Sequence, residues 1–77
     1  MRILIVEDEK NLCDMIGKSL HNAGYEVDLC YDGEDALEMI YAEKYDLIVL
    51  DLNLPGVDGM EILRELRKEN EETKVLI

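Results

Sequence analysis

The chain has 77 residues, enough for one small domain, and at this size only a little over ~60% of the unfolded surface is buried on folding. Nineteen acidic against eight basic side chains leave a net charge of −11, which repels nucleic-acid phosphates and anionic membranes and suits a cation or a basic protein surface. No apolar run approaches the ~20 residues that span a bilayer, the N-terminus has no secretory-leader pattern, and the core must be aliphatic because tryptophan and phenylalanine are absent.

Arg2 leads into a continuous apolar run, Ile3-Leu4-Ile5-Val6, followed at once by Glu7-Asp8-Glu9. Such a run fits a strand covered on both faces, as in a parallel sheet. Residues 11–23 have helical spacing, with Leu12, Met15, Ile16 and Leu20 expected on the buried face and Gly24 as the stop. Val27, Leu29 and Tyr31 alternate with Glu26, Asp28 and Cys30, the pattern of a strand near a sheet edge. Asp32 is placed to cap a helix over 33–43, with Ala36, Leu37, Ile40 and Tyr41 inward.

A second dry run, Leu47-Ile48-Val49-Leu50, sits in a strand expected over 46–51 and ends in Asp51. Pro55-Gly56 marks a turn, because proline presets φ and glycine tolerates positive φ. Asp58 and Glu61 have capping-box spacing and open a third helix over 59–69. That helix turns Ile62, Leu63 and Leu66 inward and pairs Glu61, Arg64, Glu65 and Lys68 outside. A polar break over 70–73 follows, the acidic stretch Glu69-Asn70-Glu71-Glu72 being a solvated loop, and residues 74–77 begin a fourth strand. The order β-α-β-α-β-α-β means parallel strands joined by right-handed crossovers, an α/β doubly wound sheet.

In a parallel sheet every strand exit lies on one edge. The two driest runs are the expected central neighbours, ~4.8 Å apart. Glu7 and Asp8 then meet Asp51 in a cleft where open α/β sheets bind ligands. Three carboxylates so close repel unless a proton or a cation intervenes. A hard divalent ion such as Mg²⁺ answers that need with oxygen ligands, and the backbone carbonyl of Asn53 is placed to add one. Mg²⁺ beside a lone strand-exit carboxylate points to phosphoryl chemistry, with Asp51 as nucleophile and Glu7 and Asp8 holding the metal.

With these residues the chain resembles the receiver domains of bacterial two-component response regulators, which have a parallel-sheet, flavodoxin-like fold. The resemblance rests on residues 3–6 with Glu7-Asp8, on residues 47–50 with Asp51, and on the loop Asn53-Leu54-Pro55-Gly56-Val57-Asp58-Gly59. The stretch through Met60-Glu61-Ile62-Leu63 looks most like receivers of winged-helix transcription regulators. The resemblance implies that Asp51 accepts a phosphoryl group from a histidine kinase in the cytoplasm. It also implies that Glu7, Asp8, Asp51 and the Asn53 carbonyl bind Mg²⁺, and that Pro55 and Gly59 shape the neighbouring loop.

Family receivers carry a fifth strand, two more helices, a Ser or Thr ending strand four and a Lys ending strand five. Residues 1–77 therefore read as the N-terminal portion of a receiver, an incomplete β1-α1-β2-α2-β3-α3-β4 set. Thr73, Lys10 and Lys74 do not occupy those positions, so weak or no phosphorylation is expected. An apolar fourth strand at an edge and a bare sheet face invite a second copy, and a homo-oligomer, in the simplest case a dimer, is the expectation.

Two alternatives stand beside the receiver: a purely structural, self-assembling half-domain, and a haloacid-dehalogenase-type phosphatase. The latter wants a second aspartate two residues after Asp51, where Asn53 stands. His21 is expected to favour its helix C-terminus. Tyr25, Tyr31, Tyr41 and Tyr45 are expected to pack at the core rim, and Met15, Met39 and Met60 to fill gaps. Cys13 and Cys30 lack metal-site or disulfide-framework spacing and are expected as reduced thiols.

Overall fold

The computed structural model describes residues 1–70 and 72–77. Four strands, β1 (Arg2–Val6), β2 (Glu26–Cys30), β3 (Leu47–Leu50) and β4 (Lys74–Leu76), alternate with α1 (Lys10–Asn22), α2 (Gly33–Ala42) and α3 (Gly59–Glu69). All pairings are parallel, in the order β2-β1-β3-β4, so the two driest runs are the central pair, as their composition requires. This is the doubly wound, flavodoxin-like arrangement expected from the alternation. β3 is shorter than the expected 46–51, yet one backbone bond to β1 continues past each end. Asp46 N–H donates to Arg2 O at 2.9 Å and Asp51 N–H to Val6 O at 3.0 Å.

The alternation of side chains along β1 explains its unbroken hydrophobicity. Leu4 and Val6 face a layer made with Ile48, Leu50, Ala36, Ile40, Ile62 and Leu66, under α2 and α3. Ile3 and Ile5 face the opposite layer, where Cys13, Ile16 and Leu20 bring α1 down onto the sheet. β3 differs: Ile48 and Leu50 are buried, whereas Leu47 and Val49, on the α1 side, are only half-buried.

The buried face of α1 is not the one that hydropathy picks out. Cys13 and Gly17 are buried and Ile16 and Leu20 half-buried, while Leu12 is 37% and Met15 61% exposed. Close approach is the reason: a Cβ on Gly17 would stand 2.5 Å from Leu29 Cδ2, so small residues define the contact stripe. α1 ends as expected at Gly24, whose φ is 100°, with Gly24 N–H donating to His21 O and Tyr25 N–H to Leu20 O, a Schellman closure. His21 lies exposed in that last turn.

Other expectations need correction. Tyr41 is exposed, because its hydroxyl reaches Glu65 Oε2 at 2.9 Å instead of turning inward. Tyr25 and Tyr31 are also exposed and only Tyr45 is buried, while Met60 joins Met15 at the surface. On α3, Lys68 and Glu65 pair at 3.2 Å, but Glu61 and Arg64 form no ion pair among the described residues. Cys13 and Cys30 are free thiols buried in opposite layers, and burial pushes both up from the ordinary thiol range. Glu71 of the expected solvated loop lies outside the described residues.

Candidate metal and phosphoacceptor site

The register builds the site. Val6 pairs with Leu50, so the next residues, Glu7 and Asp51, leave the sheet side by side. Asp51 N–H donates to Val6 O, and Glu7 N–H donates to Cys30 O at 3.0 Å, which anchors both main chains to the strand ends. Carboxylate oxygens of Glu7, Asp8 and Asp51 all lie within 4.8 Å of one another. Glu7 and Asp51 are half-buried and Asp8 is exposed.

Local bonds fix two of the three carboxylates. Glu7 Oε1 accepts Glu9 N–H at 3.1 Å, and Asp51 Oδ1 accepts Asn53 N–H at 2.9 Å. Asn53 thus stands in the loop beside the acceptor, with its side chain exposed. None of the three carboxylates forms an ion pair among the described residues. Burial pushes the Glu7 carboxyl above its ordinary range, the Glu9 N–H bond opposes this, and the neighbouring Asp51 and Asp8 charges add to it. Three carboxylates in one cleft, two half-buried and one exposed, with no ion pair among the described residues, fit a hard divalent cation that retains some waters.

The loop behind Asp51 is held tightly. Leu54 is buried, and Gly56 takes φ 87° after Pro55, as the turn chemistry expects. Asp58 caps α3, its Oδ1 accepting Met60 N–H at 3.1 Å. Gly59 must be glycine, because a Cβ there would lie 2.6 Å from Leu52 Cα. Pro55 and Gly59 therefore do shape the loop next to Asp51.

One acid at this edge has a role the sequence reading missed. Glu9 is the N-cap of α1, its carboxylate accepting Asn11 N–H at 3.1 Å and Leu12 N–H at 2.8 Å. The spacing of Glu9 before a helix was its only signal, and glutamate is not a favoured cap residue. Thr73 lies at the far edge, where its hydroxyl donates to Tyr45 O at 3.0 Å. Lys10 and Lys74 are exposed. A groove of about 630 Å³, lined by Tyr41, Glu43, Tyr45, Asn70 and Glu72 among others, shares no residue with the acidic cleft.

Paired acids at one central strand exit and a single aspartate at the next make this an open parallel α/β domain with an acidic cleft at its strand exits. The chain belongs to the response regulator receiver domain family, whose pattern matches residues 3–77. It is similar to the response regulator TrrA from Thermotoga maritima, solved in complex with Mg²⁺-BeF, at 39% identity and TM-score 0.89. That match covers 96% of this chain and 64% of TrrA. TrrA has also been solved in complex with the histidine kinase ThkA. A CheY-like receiver domain protein from Methanospirillum hungatei matches at 32% identity and TM-score 0.93, with 96% of this chain and 59% of that one covered. The chain thus spans about three-fifths of the length of these structures.

Proposed function

We propose that the chain is the Mg²⁺-dependent phosphoacceptor part of a two-component response regulator, with Asp51 as the acceptor. The observation that carries this is the meeting of Glu7, Asp8 and Asp51 within 4.8 Å at the exits of the two central strands. Glu7, Asp8, Asp51 and the Asn53 carbonyl hold the metal. Bound Mg²⁺ supplies positive charge that offsets the charge spread over the transferring phosphoryl group. Asn53 N–H holds the Asp51 carboxylate through Oδ1, and a carboxylate oxygen of Asp51 attacks phosphorus. The P–N bond to a kinase phosphohistidine protonated on its other ring nitrogen breaks as the O–P bond forms, giving an aspartyl phosphate and a neutral imidazole that keeps that proton.

The partner is a sensor histidine kinase, by likeness to TrrA, which is solved bound to ThkA. The work is that of an acceptor rather than of a turnover enzyme, though Asp51 and its metal ligands take part in their own phosphorylation and dephosphorylation. We place it in the cytoplasm with the kinase's transmitter; among the described residues no helix is long and apolar enough to cross a membrane.

The test is incubation with Mg²⁺ and acetyl phosphate, followed by intact mass. One hydroxylamine-labile phosphate, absent in Asp51→Ala, is the expected result. Steady release of inorganic phosphate would indicate a phosphatase, and no modification at all would favour an assembly role.

A homodimer is the second reading. β4 presents Leu76, 59% exposed, and Ile77 follows at 69%, while Leu47 and Val49 are half-covered on the α1 side. An apolar edge of this kind pairs with a second chain. Light scattering at micromolar concentration should give twice the monomer mass, and a stable monomer rejects this reading.

A further inference from the structure

Of the three candidate carboxylate ligands, Asp8 alone has no side-chain hydrogen bond among the described residues, whereas Glu7 and Asp51 each accept one from a backbone N–H. Only Glu9 separates Asp8 from the start of α1, so the position of Asp8 follows the seat of that helix. Something must hold the first turns of α1 against the sheet edge.

Tyr31 does this by bridging two elements. It directly follows β2 and directly precedes Asp32, the N-cap of α2. Its hydroxyl donates to Asp14 Oδ1 at 2.7 Å, and Lys10 Nζ stands 5.4 Å from its ring centroid. Lys10 and Asp14 are four residues apart on α1, so one helix face grips the tyrosine at both ends. The hydrogen bond pushes the phenol up to about 12, with burial adding to it, so the hydroxyl remains a donor throughout the neutral range. The same junction carries the Glu7 N–H bond to Cys30 O, which places the clamp next to the ligand loop.

We propose that Tyr31 is a positioning residue for the metal site, which sets Asp8 by locking the first turns of α1 to the end of β2. The proposal rests on the metal reading above and assigns the clamp a part in it. An outer group that orients a ligand changes metal affinity without touching the ion.

Tyr31→Phe deletes one oxygen and keeps the ring over which Lys10 sits, so the fold is retained. Tyr41→Phe is the control, because Tyr41 makes the same kind of bond, to Glu65 at 2.9 Å, on α2 and α3. Backbone amide shifts are followed during titration with Mg²⁺ alone. The expected result is Mg²⁺ affinity about three- to tenfold weaker in Tyr31→Phe and unchanged in Tyr41→Phe. Parental affinity in Tyr31→Phe, or an equal loss in both variants, would overturn the proposal. If the parent chain itself fails to bind Mg²⁺, the metal reading falls and takes this one with it, so the two failures are told apart.

Discussion

The two edges of the sheet treat acidic side chains in opposite ways. At the strand entrances Asp28 accepts from Arg2 at 2.9 Å and from the Tyr45 hydroxyl at 2.7 Å, Arg2 reaches on to Glu43 at 2.9 Å, and its guanidinium lies 5.4 Å from the Tyr45 ring centroid. Burial and the bond to Asp28 push the Tyr45 phenol far up, so it stays a donor there. At the strand exits Glu7, Asp8 and Asp51 crowd together with no cationic side chain paired to any of them among the described residues. Acids satisfied by protein cations bind one element to another. Acids left without them store repulsion that an incoming cation relieves. In a chain of net charge −11, uncompensated acids could lie anywhere, and it is their convergence on two central strand exits that marks a site.

The largest expected effect sharpens this contrast directly. Adding Mg²⁺ to about 100 times its dissociation constant should stabilise the folded chain by ~2.7 kcal/mol in urea unfolding. Asp51→Asn should abolish most of that gain and, in metal-free buffer, leave the fold as stable as the parent or more so. The opposite edge should respond with the opposite sign. Asp28→Ala leaves the Tyr45 hydroxyl without its acceptor, while Arg2 keeps Glu43, and should cost about 1.5 kcal/mol whether Mg²⁺ is present or not. Destabilisation by Asp51→Asn in metal-free buffer as large as that by Asp28→Ala would erase the distinction between the edges.

Helix caps give a third, smaller effect, because all three helices start at the site edge and each is capped by an acid: Glu9, Asp32 and Asp58. These acids accept N–H groups of the first turn of the helix they open and lie outside the carboxylate cluster, so they belong with the structural group despite their location. Asp58→Ala should cost about 1 kcal/mol, Asp58→Asn only a few tenths, and neither should change Mg²⁺ affinity more than about twofold. A large change of affinity in Asp58→Asn would place that residue among the ligands.

The exit edge was legible in the sequence because it depends on local pattern. A dry run that stops at a carboxylate announces both the strand and its end, and parallel topology then brings Glu7, Asp8 and Asp51 together. The entrance edge was not legible. Arg2, Asp28 and the pair Glu43 and Tyr45 come from three separate segments, and nothing in their neighbours pairs them. The inward face of α1 was misread for a related reason. Hydropathy weighs large side chains such as Leu12 and Met15, whereas the contact with β2 is set by what fits beneath Leu29, which is Gly17. Tyr41 and Tyr31 were similarly assigned by their rings, and it is their hydroxyls, reaching Glu65 and Asp14, that place them.

The smallest effect to seek is the pH dependence of stability, and its sign distinguishes a strained acid from a paired one. Glu7 binds its proton more tightly in the folded chain than in the unfolded one, chiefly through burial and then through the charges of Asp51 and Asp8. Its stabilising contribution is therefore complete below the unfolded value of 4.5 and is lost as pH rises through the raised folded value. A paired carboxylate such as Glu65, held low by the Tyr41 hydroxyl and then by Lys68, contributes in the opposite sense, gaining as pH rises. Asp35, raised by its bond to Asp32, shifts in the same direction as Glu7. Both titrate alike in parent and variant, so the difference between the parent and Glu7→Gln isolates Glu7. Urea midpoints in metal-free buffer should, above pH 4.5, fall more steeply with rising pH in the parent than in Glu7→Gln. With Mg²⁺ present the Glu7 contribution should reverse, since the ion competes with the proton for the same oxygens. A Glu7 contribution that rises with pH in metal-free buffer would mean that a protein cation compensates this cleft as Arg2 compensates the other.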